Sequence, residues 1–277
     1  MILRPQEGPQ TEFLRRPEDE VLYGGAKGGG KSYALMLEAL RQINISSYRA
    51  LILRRTFPRL QELIDRSKEI FPKLGANYSS QDHTWTFLSG AKIRFGHCQN
   101  KGDESNFQGH EYAFIGFDQL EEFLEGQYLY ICAQNRSSSP GIRCYVRATA
   151  NPGNVGHAWV KKRFIDNREP FKQYINEMEV NGVKVSRTQA FIPATVFDNK
   201  ILLENQPNYL ATLGNLPERE RKALLDGNWD VFAGQFFGEF DRAKHVIRPT
   251  QFPADWKRFV CADYGYTAPS AAYWVAI

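Results

Sequence analysis

The run Gly24-Gly25-Ala26-Lys27-Gly28-Gly29-Gly30-Lys31-Ser32 constrains this chain more than any other part of it. From Gly25 it fits the pattern G-x-x-x-x-G-K-[ST]. Glu20-Val21-Leu22-Tyr23 before it reads as a short buried strand, and Ser32 to Asn44 after it reads as a helix. Strand, glycine loop, lysine, serine and helix in that order are the context in which the pattern binds phosphate. Glycines let the backbone curl so that successive N–H groups converge on an anion, and the helix N-terminus adds its positive end. In that reading Lys31 reaches the β- and γ-phosphates of a nucleotide and the Ser32 hydroxyl holds Mg²⁺. The alternative is a glycine-rich turn that merely precedes a helix.

The bulk composition narrows the class without naming a function. At 277 residues the chain makes one large domain or two moderate ones. Apolar residues at 42% and charged residues at 24% are enough for a sizeable core. A net charge of +4 is compatible with nucleic-acid contact and does not argue for it alone. Cys98, Cys132, Cys144 and Cys261 are far apart, with no C-x-x-C and no clustered histidines. They read as reduced thiols of a cytosolic protein, and neither a disulfide framework nor a zinc site is suggested. No apolar stretch reaches membrane-spanning length, and Met1-Ile2-Leu3-Arg4-Pro5 lacks a signal-peptide core, so a soluble intracellular protein is expected.

Strands and helices alternate along the chain. Tyr33 to Ile43 places Ala34, Leu35, Leu37, Ala39 and Leu40 on a helix buried against a sheet. Ala50-Leu51-Ile52-Leu53 reads as a second parallel strand. Arg54, Arg55 and Thr56 follow at its C-terminal end, where α/β sheets place ligand-binding groups. Leu60 to Ile70 is expected to be helical. Thr84-Trp85-Thr86-Phe87 and Lys92-Ile93-Arg94-Phe95 alternate around Ser89-Gly90 as a β-hairpin. Tyr112 to Phe117 and Arg143 to Ala148 are further buried strands; the first ends in Asp118 and the second runs into Thr149-Ala150-Asn151-Pro152-Gly153. Pro207 to Trp229 is helix-rich and charged. The character changes after Gly234, through Phe236-Phe237-Gly238-Glu239-Phe240, and a strand from Phe259 to Asp263 follows. The pattern predicts a mostly parallel sheet with helices on both faces. It divides into a core over 1–200, a helical lid or linker over 201–235, and the start of a second domain over 236–277, which suggests a truncated chain.

A phosphate loop needs a second acidic strand end to complete Mg²⁺ binding, and Phe114-Ile115-Gly116-Phe117-Asp118 supplies one. Four segments, in order, then carry a resemblance: Tyr23 to Ser32; Phe107-Gln108-Gly109-His110-Glu111-Tyr112 leading into Phe117-Asp118; Thr149-Ala150-Asn151-Pro152-Gly153 with Gly156 to Phe164; and Gly227-Asn228-Trp229-Asp230 through Gly234 to Phe237. Together they resemble the large terminase subunit of tailed bacteriophages, the ATPase–nuclease motor that packages DNA. The resemblance implies an α/β P-loop NTPase of the additional-strand (ASCE, RecA-like) type, followed by the first strand of a truncated RNase H-like nuclease domain. It implies ATP and Mg²⁺ as cofactors, with a further Mg²⁺ or Mn²⁺ pair for the nuclease only in a full-length chain. The implied function is translocation of double-stranded viral DNA into a procapsid in the cytoplasm of the infected bacterium. The implied partners are duplex DNA, the portal, the small terminase subunit and further copies in a ring, the chain being a monomer alone and free of membranes. A helicase-like or recombination DNA-dependent ATPase is the alternative, and a non-catalytic nucleotide-binding assembly protein is a third reading.

Residue by residue, the resemblance makes Gly25, Ala26, Lys27, Gly28, Gly29, Gly30, Lys31 and Ser32 the phosphate cradle and Asp118 the Mg²⁺-side carboxylate. Thr149-Ala150-Asn151 becomes the segment that senses the γ-phosphate and couples hydrolysis to DNA movement. Lys27 stands where related motors often carry a phosphate-contacting arginine, or is a solvated loop lysine. Gln10 is similar to the adenine-reading glutamine of such ATPases, or is a surface residue. Arg136, Arg54 and Arg55 are candidates for an arginine that stabilises the transferring phosphate, with surface ion pairs or DNA contacts as the alternative. Asp263 is the first metal-binding carboxylate of the nuclease strand, and its partners would lie beyond Ile277. Lys161, Lys162 and Arg163 read as a solvated face or as a sequence-independent DNA contact. His110 and His157 lack ligand spacing.

One position departs from the family. A catalytic glutamate normally follows the acidic strand end directly, and here the residue is Gln119. An amide holds a water but cannot accept its proton. Either the chain hydrolyses ATP slowly, or a nearby carboxylate substitutes. Glu121 and Glu122 are the candidates, and on a helical turn they are expected to point away from the site. Slow hydrolysis is therefore the expectation.

Overall fold

Residues apolar on both sides of the strands demand cover on both faces of the sheet, and the computed structural model supplies it. The structure describes residues 3–231, 242–246, 251–264 and 271–277. Gly234, Phe236 to Phe240, Gly265 and Tyr266, singled out in the sequence, lie outside them.

Helix α1 (Pro9–Arg15) starts on a proline, which is preorganised for a first helical turn. It precedes β1 (Glu20–Gly25), buried along its whole length, and the glycine loop then enters α2 (Lys31–Ala39). This helix ends at Ala39 rather than at the expected Asn44. The Tyr48 hydroxyl donates to the Ala39 carbonyl at 2.9 Å and so satisfies a group that would otherwise continue the ladder. Next come β2 (Arg49–Arg54), α3 (Phe57–Ile70), β3 (Asn77–Ser79), β4 (Thr84–Thr86), β5 (Lys92–His97) and β6 (Phe114–Phe117). They are followed by α4 (Glu125–Cys132), β7 (Tyr145–Ala150), α5 (His157–Phe164), β8 (Gln173–Val180) and β9 (Val183–Ala194). Three short helices, α6 (Lys200–Asn205), α7 (Tyr209–Gly214) and α8 (Glu218–Leu224), complete the larger unit.

The nine strands form one sheet in the order β3-β4-β5-β2-β6-β7-β1-β9-β8. The six strands from β5 to β9 in that order run parallel, while β3, β4 and β8 add antiparallel edges. Strand β7 lies between β1 and β6, which is the additional-strand arrangement expected from the resemblance. One face packs Val21, Tyr23, Ile52 and Phe114 with Leu35 and Leu63 of the helices. The other packs Leu22, Leu51, Phe117 and Val146 with Tyr128, Ile131, Val160 and Phe164. Register places Phe117 beside Ala148 and Tyr23 beside Thr149. The loops that follow β1, β2, β6 and β7 therefore leave the same edge of the sheet.

The hairpin around Ser89-Gly90 forms as expected, with Trp85 opposite Ile93. Helix α1 and the β8–β9 hairpin had no counterpart in the sequence reading. On β8 the apolar Ile175, Met178 and Val180 are exposed, and Met178 and Val180 alternate with Glu179 up to Asn181-Gly182, a hairpin signal passed over in the sequence. The chain divides into two units, Met1–Phe236 and Phe237–Ile277. The second unit contains a four-residue helix, α9 (Arg242–His245), and an antiparallel pair, β10 (Arg258–Asp263) and β11 (Ala271–Ala276). No helix among the described residues is long and apolar enough to cross a membrane.

Candidate active site

The glycine loop presents its amides to an anion because its carbonyls are occupied from behind. Tyr23 Oη donates to the Gly29 carbonyl at 3.1 Å, Asn199 Nδ2 to Gly28 at 2.6 Å, and Gln10 Nε2 to Gly30 at 3.2 Å. Lys31 Nζ donates to the Ala26 carbonyl. Two loop amides are also used internally, Ala26 N to Ala194 O and Lys27 N to Leu224 O, each at 2.7 Å. The amides of Gly28, Gly29, Gly30, Lys31 and Ser32 meet no acceptor among the described residues. Gly30 takes the left-handed conformation, φ 72°, that turns this row of amides into the N-terminus of α2. The result is a backbone concavity shaped for phosphate oxygens.

Asp118, fully buried at the end of β6, gathers the other polar groups. Ser32 Oγ donates to its two oxygens at 2.9 and 3.1 Å, and Thr149 Oγ1 donates to Oδ1 at 2.6 Å. Arg54 Nε donates to Oδ2 at 2.6 Å, and Arg54 is held in turn by Glu62 at 2.9 Å. Thr149 also accepts from the Gln119 amide at 3.1 Å, so it joins the ends of β6 and β7. Burial pushes the Lys31 ammonium down to about 8, against the pull of Glu121 and Asp118.

Glu121 corrects an expectation. Gln119 takes a left-handed conformation, φ 61°, and the turn over Leu120–Glu122 that follows reverses the chain. Leu120 enters the core, and Glu121 is buried on the site side instead of pointing away. Its Oε1 accepts from Asn151 Nδ2 at 3.2 Å, and its backbone carbonyl accepts from Gly156 N at 2.7 Å. Burial pushes its carboxyl up to about 7. A side chain at Gly156 would put a Cβ 2.6 Å from the Phe123 carbonyl oxygen, so only glycine lets the β7–α5 loop approach this turn. Glu122 is tied instead to Arg59.

The remaining sequence candidates divide by position. Gln10 is buried and braces the loop through Gly30, while its Oε1 accepts from Gln6 N at 2.9 Å. It lines a cleft of about 420 Å³ with Gln6, Tyr33, Asn199 and Leu202. Gln6 and Asn199 went unrecognised in the sequence because they converge from opposite ends of the unit, Gln6 Nε2 donating to Asn199 Oδ1 at 2.8 Å. The Lys27 side chain is exposed. Arg55 is committed to Cys98 O and Gln127. Arg136 sits beside Glu111, after α4, whose following residues bond the starts of β6 and β7. It is therefore at the opposite edge of the sheet from the loop. The basic run is not a solvated face throughout. Arg163 pairs with buried Glu20 at 2.8 Å and Lys161 with Asp230 at 2.5 Å, while Lys162 is exposed. His157 accepts from Gly153 N at 2.9 Å and stacks on Trp229. Asp263 ends β10 in the smaller unit and is exposed.

A glycine loop between a parallel strand and a helix, with an additional strand separating it from an acidic strand end, defines an α/β P-loop NTPase fold. The family described as "Terminase large subunit, T4likevirus-type, N-terminal" matches residues 22–244, and the chain belongs to that family. The fold is similar to the large terminase of a thermophilic bacteriophage in complex with ADP. That match has 18% identity and TM-score 0.61, covering 99% of this chain and 65% of that one. The same phage's large terminase in complex with ATP-gamma-S gives 19% identity and TM-score 0.59, with coverages of 98% and 64%. The large terminase ATPase domain of Thermus phage P74-26 gives 12% identity and TM-score 0.53, with coverages of 80% and 93%. The chain thus spans just under two thirds of the two nucleotide-bound large terminases. A search of the curated proteins found no match.

Proposed function

We propose that this chain binds ATP at the Gly25–Ser32 loop and hydrolyses it to drive double-stranded viral DNA into a procapsid, as the ATPase part of a large terminase. The observation that carries the reading is the cradle itself: a row of amides with no acceptor among the described residues, beside a cluster of Ser32 with buried Asp118 and Thr149. The similar large terminase with ADP and with ATP-gamma-S and the family membership support it.

The chain's residues divide the work. The amides of Gly28 to Ser32 receive the β-phosphate, and Lys31 leaves the Ala26 carbonyl to neutralise charge on the γ-phosphate. Ser32 Oγ and the Asp118 carboxylate are hard oxygen donors already within 3.1 Å of each other, which fits Mg²⁺. When bound there, Mg²⁺ offsets charge on the phosphates. Gln10, Gln6 and Asn199 hold the base-side cleft against the loop. Thr149 and Asn151 couple the γ-phosphate position to α5 and, through the His157–Trp229 stack, to the segment after α8. Arg136, distant from its own loop, acts only on a neighbouring subunit's site in a ring. Portal and small terminase subunit are the partners, the infected cell's cytoplasm is the location, and Asp263 opens the nuclease part.

The reading is tested by equilibrium binding of ATP with Mg²⁺. Micromolar affinity that falls at least a hundredfold in Lys31→Ala is expected, together with hydrolysis stimulated by duplex rather than single-stranded DNA. Absence of ATP binding refutes it. Stimulation by single strands alone moves the chain to the helicase-like class.

A further inference from the structure

We infer that Glu121, rather than residue 119, is the carboxylate that takes the proton of the attacking water, and that Asn151 holds it in place. The inference rests on the ATP-hydrolysing reading above and specifies its chemistry. Residue 119 carries an amide, which has no capacity to accept a proton from water. Its backbone is committed as well, the N–H to Thr149 and the left-handed turn to redirecting the chain. The turn brings Glu121 against Asn151, in the segment that follows β7 and Thr149. The side chain is 1% exposed, and Oε1 is fixed by Asn151.

Glu121 Oε2 and Asn151 Oδ1 are both buried with no hydrogen-bond partner among the described residues. Burying an unpaired carboxylate oxygen is costly, and a second orphan on its hydrogen-bonded neighbour adds to that cost. Two unpaired acceptors on side chains hydrogen-bonded to each other suit a molecule with two protons to donate, and water is that molecule. Glu121 and Asp118 both support the charge on Lys31, the residue assigned to the γ-phosphate. The carboxyl itself is raised to about 7, the range in which a base accepts a proton and releases it again.

The step balances without another reactant. The water oxygen bonds to the γ-phosphorus, and the bond from that phosphorus to the bridging oxygen breaks, its electron pair remaining on ADP. One water proton passes to Glu121 Oε2 and then to solvent, and the other stays on the phosphate. Asn151 is a positioning residue. It lies in the segment that follows β7, so movement of that segment moves the base.

Single-turnover hydrolysis and ATP affinity, measured side by side on this chain, test the assignment. Glu121→Gln keeps the volume and an acceptor for Asn151. It is expected to bind ATP within threefold of the unsubstituted chain and to hydrolyse it at least a hundredfold more slowly. Glu122→Gln is the control for a lost neighbouring charge and is expected to stay within threefold in both. The inference is overturned if Glu121→Gln loses less than a hundredfold, if it loses ATP binding as well, or if Gln119→Glu speeds hydrolysis tenfold or more. An unsubstituted chain that binds ATP without cleaving it overturns it too. A chain that does not bind ATP refutes instead the reading of the loop.

Discussion

Replacing Arg147 by methionine removes a cation that the interior has been built around. Arg147 and Glu38 are both fully buried, and Nε donates to Glu38 Oε1 at 3.2 Å. The same guanidinium donates to the carbonyls of Val146 at 2.9 Å, Glu18 at 3.0 Å and Arg16 at 2.8 Å, and it stacks over Tyr145. It thereby fastens the chain ahead of β1 to β7, next to the strand that carries the glycine loop. Burial pushes the Glu38 carboxyl up and the Arg147 guanidinium down, so desolvation outweighs attraction on both partners.

Removing one member of such a pair costs about 3–5 kcal/mol when the other charge is left alone, and toward the lower end here, because Glu38 keeps Arg41 as a second partner. The orphaned Arg16 and Glu18 carbonyls fall within that figure. Replacing both, as Arg147→Met with Glu38→Leu, should recover most of the loss, since an apolar pair carries no desolvation cost. The pH dependence has a definite sign. A carboxyl raised further in the folded variant than its unfolded value of 4.5 favours the fold below that pH and loses this advantage as pH rises through the raised value. The single variant's deficit should therefore be smaller at pH 5 than at pH 8. Urea unfolding followed by tryptophan fluorescence measures all three. A single-variant loss under about 1 kcal/mol, or a double variant no better than the single, would refute the reasoning, because a buried carboxylate stripped of its buried partner and left with the half-exposed Arg41 cannot be that cheap.

Two further outcomes follow from the geometry. Gly227 has φ 67°, and a Cβ there would lie 2.7 Å from Ala26 N; Gly227→Ala should weaken ATP binding at least tenfold in a titration while circular dichroism stays unchanged, and unaltered affinity would show that the loop does not depend on this contact. Arg136→Ala should leave ATP affinity of the isolated chain within twofold and abolish the stimulation of hydrolysis expected on assembly with procapsids, whereas a loss in the isolated chain would place Arg136 in its own site.

Local chemistry along the sequence was enough for the glycine loop, the apolar strands leading into Asp118 and Thr149, the hairpin at Ser89-Gly90 and the parallel sheet. Each of these is dictated by neighbours within about ten residues: glycine density, apolar runs and turn residues. Helix α2 ended early because Tyr48, just ahead of the next strand, took its last carbonyl. The β8–β9 hairpin was passed over although Met178, Val180, Val183 and Val185 alternate with polar residues around Asn181-Gly182, because these apolar side chains face solvent and join no core. Gln6 and Asn199 were missed because they meet across 193 positions of sequence.

Glu121 is the sharpest case. By itself the sequence determined that a P-loop faces an acidic strand end and that an amide follows that end at Gln119. It contained both glutamates but not their directions, because both are buried and the left-handed turn at Gln119 decides which partner each one meets. Only the tertiary structure put Glu121 beside Asn151 and sent Glu122 to Arg59. The physical reason is that Gly156 must come within contact of the turn before Asn151 can reach the carboxylate, and that approach joins the loops after two different strands.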